Sequence, residues 1–142
     1  MILICFGTRP EYIKLKPLMD KLDGVLEYKT LFTGQHKDLV QHRPDYSIEI
    51  EDGRNRLDSI ISSTMNSIDF DGVSCVMLQG DTTSVLAVAL SAFNNKVPVI
   101  HLEAGLRTNN LQQPYPEEAN RQIVSRISDL HLCPTIEAAA NL

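Results

Sequence analysis

Short apolar runs rich in β-branched residues alternate with segments of helical period along the whole 142-residue chain, and this alternation constrains the fold more than any other feature. The runs at 2–6, 27–32, 74–78, 97–101 and 129–133 have strand length, while 10–22, 55–67, 82–94 and 117–127, with a further segment from 135, have helical period. Parallel strands need such intervening helices, because the chain must return to the same end of the sheet before it can pair again. The pattern therefore predicts an α/β fold, a Rossmann-like parallel sheet with helices on both faces. Leu15, Leu18, Met19 and Leu22 form the inward stripe of the first helix, which Pro17 is expected to bend by removing one backbone hydrogen bond. The stretch 35–54 is polar and turn-like and has no assigned element. No repeat or linker interrupts the chain, so residues 1–142 are expected to form one domain.

Composition narrows the function classes. With 43% apolar and 22% charged residues the chain can build one sizeable core. A net charge of -5 and scattered basic residues argue against nucleic acid as a partner. No apolar stretch approaches membrane-spanning length, and the first strand pattern starts without a basic leader, which points to a cytoplasmic protein with no membrane partner. Cys5, Cys75 and Cys133 lie far apart in strand-like runs without metal-ligand spacing, and are expected to be buried, reduced thiols.

Ligands of such sheets bind beyond the carboxyl ends of the strands, so the segments that follow the strands carry the functional reading. After the first strand come Gly7, Arg9 and Lys14; the guanidinium of Arg9 at a helix start, where an acidic or small polar residue is favoured, suggests a missing anion. After the strand at 74–78 comes Asp81, which locally reads as a helix N-cap. After the strand at 97–101 comes Glu103, which locally reads as a surface partner of Arg107. His101 reads as an interior strand residue without a ligand or base role. Glu117 opens the helix at 117–127, where a pair with Arg121 one turn on would explain it. Each local reading suffices alone, but none explains why Asp81, Glu103 and Glu117 recur at the edge that also receives Arg9 and Lys14. Gathered carboxylates beside cations suit acid/base chemistry on an anionic substrate, and the planar fork of Arg with the point charge of Lys suits a diphosphate. There is no P-loop and no GxGxxG, so neither ATP hydrolysis nor a dinucleotide cofactor is indicated.

The motifs "FGTRPEYIKLKPL", "TGQH", "QGDTTS", "HLEAGLRT" and "PYPEEANR" follow in order across almost the whole chain. Together they resemble the amino-terminal domain of the non-hydrolysing UDP-N-acetylglucosamine 2-epimerases. The hydrolysing relatives carry a glycine-rich segment where this chain has "EAGLRT". The resemblance implies the first half of a glycosyltransferase-B type fold. It also implies inversion at C2 of the sugar, by elimination and re-addition of UDP through a 2-acetamidoglucal, with neither metal nor redox cofactor. It assigns Asp81, Glu103 and Glu117 as catalytic carboxylates, Arg9, Lys14 and Arg121 as substrate-binding cations, and Gln35 and His36 to a possible effector site, near which Asp38 departs from the usual residue type.

Family members are more than twice as long, so the resemblance further implies that a carboxyl-terminal nucleotide-binding domain is absent here. A complementary domain or chain then becomes an expected partner besides the UDP-sugar, with a homodimer as the full-length form. Tyr12 replaces a small residue of the first motif, and the region from "TGQHKDLV" to "RPDY" is shortened. A non-catalytic sugar-nucleotide binding or interaction module derived from the same fold is the alternative that the sequence leaves open.

Overall fold

The computed structural model describes residues 1–36 and 43–142, so Asp38 lies outside the described residues. The described elements run β1 (Ile2–Phe6), α1 (Arg9–Leu22), β2 (Tyr28–Phe32), β3 (Tyr46–Ser47), α2 (Arg56–Ser67), β4 (Cys75–Gln79), α3 (Thr83–Asn94), β5 (Val99–Leu102), α4 (Glu117–Ile127), β6 (Leu130–Leu132) and α5 (Ile136–Ala140). All strand pairs are parallel, and the sheet order is β3-β2-β1-β4-β5-β6. This is the doubly wound order, whose reversal point lies between β1 and β4.

Right-handed crossovers decide which face each helix covers. The step from β1 to β2 places α1 on one face, where Leu15 and Met19 pack on Ile4, Phe6 and Met77, with Leu18 and Leu22 at the margin. The steps from β3 to β4, β4 to β5 and β5 to β6 run in the other direction across the sheet. They place α2, α3 and α4 side by side on the opposite face. There Val85, Val88, Ala92 and Val124 pack on Leu3, Cys5, Val76, Leu78 and Val99. Residues alternate between the two cores along β1, β2, β4 and β5, as the period of two demands.

The sequence-derived elements all exist, with boundaries moved by one or two residues. β3 is an addition: two exposed residues paired with β2, too short to show any period. α1 runs on through Pro17 as a continuous helix. Cys5 is buried as expected, but Cys75 and Cys133 are only half-buried, because each sits at a strand end where the sheet meets solvent; all three are free thiols. Among the described residues, no helix is long and apolar enough to cross a membrane.

Candidate active site

The turns that follow β1, β4 and β5 meet the first turn of α4 at the carboxyl edge of the sheet and enclose a cavity of ≈ 290 Å³. Lys14, Asp81, Glu103, Glu117 and Arg121 all line it. Thus five of the six sequence-derived catalytic and substrate-binding residues, drawn from four separate segments, converge on one space. Gln35 and His36 line the same cavity rather than a separate one.

The β1–α1 turn explains itself once the helix start is seen in full. Thr8 is the N-cap, its hydroxyl accepting from the Glu11 amide, and Glu11 reaches back to the Thr8 amide, forming a capping box. The anion that Arg9 seemed to lack is therefore partly internal: the helix start is already served by Glu11. Arg9 itself stands exposed at the first helical position, does not line the cavity, and its side chain makes no hydrogen bond or ion pair among the described residues. Glu11 does more than cap. Its Oε2 also accepts from the Gly7 amide at 2.6 Å, and its Oε1 accepts from the Thr82 hydroxyl at 2.6 Å. Burial pushes its carboxyl above the usual carboxylate value, with the hydrogen bonds from Gly7, Thr82 and Thr8 acting against that shift.

Asp81 is not the cap of α3; Thr82 is, its hydroxyl accepting from the Val85 amide. Freed of that task, Asp81 turns toward α4. Its Oδ2 pairs with Arg121 Nη2 at 2.6 Å, and its backbone carbonyl accepts from Asn120 Nδ2 at 2.9 Å. Burial raises the Asp81 carboxyl above its ordinary 3.8; the Arg121 guanidinium opposes this, and the charges of Glu117 and Glu103 add to it. A carboxyl so placed holds its proton more readily than an exposed aspartate, which suits a group that must both accept and return one.

Glu103 does not pair with Arg107. Lys14 Nζ reaches its Oε2 at 2.6 Å, and Gln79 Nε2 donates to the same oxygen. Arg107 instead donates to the Ser125 hydroxyl and to the Leu106 carbonyl. Glu103 has φ 61°, the left-handed region that a non-glycine residue enters at a cost, and strained backbone of this kind gathers at functional sites. His101 lies in the interior, as expected, with Nε2 donating to the Gly80 carbonyl at 2.7 Å; burial keeps its pKa below the ordinary value.

Glu117 does not pair with Arg121 either. The adjacent Glu118 takes that place at 3.5 Å, and also accepts from the amides of Thr108 and Asn109 and from Gln122 Nε2. Among the described residues, neither the buried Glu117 Oε2 nor the buried Arg121 Nε has a hydrogen-bond partner. Sequence reasoning missed Gln79, Glu11 and Glu118. The T-x-x-E spacing announced Glu11, and the period of two from Met77 put Gln79 on the cavity side of β4; nothing in the sequence told Glu118 from Glu117. Among the described residues, no three metal-ligating side chains come together.

A sequence profile of the UDP-N-acetylglucosamine 2-epimerases matches residues 21–142. The chain belongs to that family. The UDP-N-acetylglucosamine 2-epimerase of Salmonella borreze is 38% identical over 99% of this chain and 41% of its own length. The crystal structure of the Neisseria meningitidis epimerase bound to UDP-GlcNAc superposes with a TM-score of 0.90 at 37% identity, covering 99% of this chain and 41% of that one. The Methanocaldococcus jannaschii epimerase, solved with UDP-GlcNAc and UDP, superposes at 0.86 with 32% identity, covering 99% and 42%. The α/β sheet architecture is thus that of the family, as the resemblance implied. The chain spans about two fifths of the length of these relatives.

Proposed function

We propose that this chain is the amino-terminal, carboxylate-bearing half of a non-hydrolysing UDP-N-acetylglucosamine 2-epimerase, an isomerase that interconverts UDP-N-acetylglucosamine and UDP-N-acetylmannosamine. The observation that carries the reading is the convergence of Asp81, Glu103 and Glu117 on one cavity with Lys14 and Arg121. One carboxylate takes the C2 proton as the C1–O bond breaks and UDP leaves. A second carboxyl protonates C2 of the resulting 2-acetamidoglucal on the other face, and UDP adds back at C1. Lys14 and Arg121 face the charge that develops on the departing diphosphate, where fixed cations act most strongly, and Arg9, outside the cavity lining, is the third cation proposed to meet it.

The cavity, at the small end of the roughly 300–1,000 Å³ span of ligand sites, cannot enclose a nucleotide sugar alone. The uridine and most of the diphosphate therefore fall to a complementary carboxyl-terminal domain or chain. Gln35 and His36, on the wall of the same cavity, are the candidates for an effector contact. The working form is a cytoplasmic homodimer of the complete enzyme, without nucleic acid or membrane among its partners.

The test follows exchange of the C2 proton of UDP-N-acetylglucosamine with deuterated water, for the chain alone and with a complementary carboxyl-terminal half. Exchange is expected only in the pair. Its absence from the pair would overturn the proposal, and tight binding without exchange would mark a binding module instead.

A further inference from the structure

The turn that carries Asp81 is held by more than its own backbone. His101 Nε2 on β5 donates to the Gly80 carbonyl at 2.7 Å, and Asn120 Nδ2 on α4 donates to the Asp81 carbonyl at 2.9 Å. The Thr82 hydroxyl, next along, donates to Glu11 Oε1 on α1 at 2.6 Å. Three consecutive residues are thus each gripped by one side chain, and each side chain comes from a different element. All three are polar and nearly sealed from solvent: His101 is 1% exposed, Glu11 3% and Asn120 4%. Burying such groups is costly unless partners are supplied, and here the partners lie in one place. The turns at 22–26 and 92–97, on the opposite edge of the sheet, close instead on their own backbone bonds.

The grip bears on one side chain. Gly80 leaves β4 at φ +86° while its amide donates to the Leu102 carbonyl, so the chain turns sharply just before Asp81. Asn120 and Arg121 are neighbours on α4: the first holds the Asp81 carbonyl, the second its carboxylate at 2.6 Å. Asp81 is therefore fixed from both sides, between a peptide held by His101 and a helix cap held by Glu11. Glu11 lines the cavity, but neither His101 nor Asn120 does, so whatever these two contribute to chemistry passes through Asp81. A reacting group must be held to within about 0.5 Å to be productive. We infer that His101 and Asn120 are positioning residues: they hold the 80–82 turn so that the Asp81 carboxyl meets the cavity in one orientation. His101 stays neither ligand nor base, yet its place in the interior serves the site. The part that Asp81 plays in the reaction rests on the half-enzyme reading, whereas the hold on its turn rests on these hydrogen bonds.

Substitutions at these two positions separate holding from filling. A carbonyl only accepts, so the His101 Nε2 carries a proton; a Gln side chain offers an N–H donor in its place, whereas Leu fills the space without one. Two readouts are taken. In the chain itself, hydrogen exchange of the Gly80 amide, followed by NMR, reads the turn without any need for activity. Relative to the Val76 amide on the same strand, it is expected to quicken about tenfold in His101→Leu and in Asn120→Leu, as for a local opening. In the chain complemented by a carboxyl-terminal half, kcat for C2-proton exchange is expected to fall about 10- to 100-fold in both Leu variants, with KM within about twofold. His101→Gln is expected to recover kcat to within about threefold of the unaltered pair. The double Leu variant should lose little more than the worse single one, since both release the same turn. An unchanged ratio of Gly80 to Val76 exchange in the Leu variants would overturn the inference. So would a lowered melting temperature with kcat intact, which would make the two residues structural only. If His101→Leu does not fold, Asn120→Leu supplies both readouts. A turn that loosens as expected in a pair whose unaltered form exchanges no C2 proton would sink the catalytic reading and leave the hold on Asp81 in place.

Discussion

Glu117 and Glu118 are neighbours of the same type with opposite tasks. Glu118 is fully buried and accepts from two backbone amides, Gln122 and Arg121, so it ties the 107–109 loop to α4. Glu117 is half-buried and its Oε2 meets no donor among the described residues. Replacing Glu118 with Ala is expected to cost about 3 kcal/mol in urea unfolding, because it leaves buried donors and the Arg121 charge uncompensated. Glu117→Gln is expected to change stability by no more than about 0.5 kcal/mol, and to abolish C2-proton exchange in the complemented enzyme. The sequence treats the two alike, since either suits the first turn of a helix. What separates them is the path of a loop ten residues upstream, and that is a tertiary fact. The same holds for Asp81 and Glu103, whose arrival at one edge was legible from strand ends, and for Arg121, which only the family resemblance brought there: their pairings followed distances that spacing along the chain does not carry.

At the level of elements, the strands and long helices were legible because their periods are sustained, whereas β3 was not. Two residues have no period, and β3 is fixed instead by Asp45 just before it, which accepts from the Thr30 amide and hydroxyl on β2. α5 is similarly short, five residues, and holds its place by close backbone packing. Gly105, at φ +84°, lies so near that an added methyl would strike the Ala138 carbonyl oxygen, and Asn141 Nδ2 donates to the Gly105 carbonyl. Gly105→Ala should therefore cost about 3 kcal/mol, from left-handed strain and overpacking together, and deprotect the α5 amides in hydrogen exchange. Gly24→Ala is the comparison: φ is +73° but nothing lies within 4 Å, so only the backbone strain of about 1 kcal/mol is expected.

Over the whole molecule, the charge distribution gives stability a pH dependence with a sign that one substitution isolates. In the folded chain Asp81 holds its proton to a higher pH than in the unfolded chain, chiefly through burial. Between these two values the folded state binds more protons, so the Asp81 contribution to stability increases as pH falls toward 3.8. His101 and Glu118, both shifted down, act in the other direction but are common to the native chain and to Asp81→Asn. The melting temperature of the native chain relative to Asp81→Asn is therefore expected to rise on acidification, and a flat difference would remove burial as the cause. A last consequence concerns motion. Glu11 fastens the β1–α1 turn to Thr82, Lys14 fastens α1 to Glu103, and Arg121 with Asn120 fastens α4 to Asp81. A wall laced across four segments moves as one body, like the fixed jaw of a vice; on the half-enzyme proposal, any travel that admits and discharges a ligand is expected of the complementary portion.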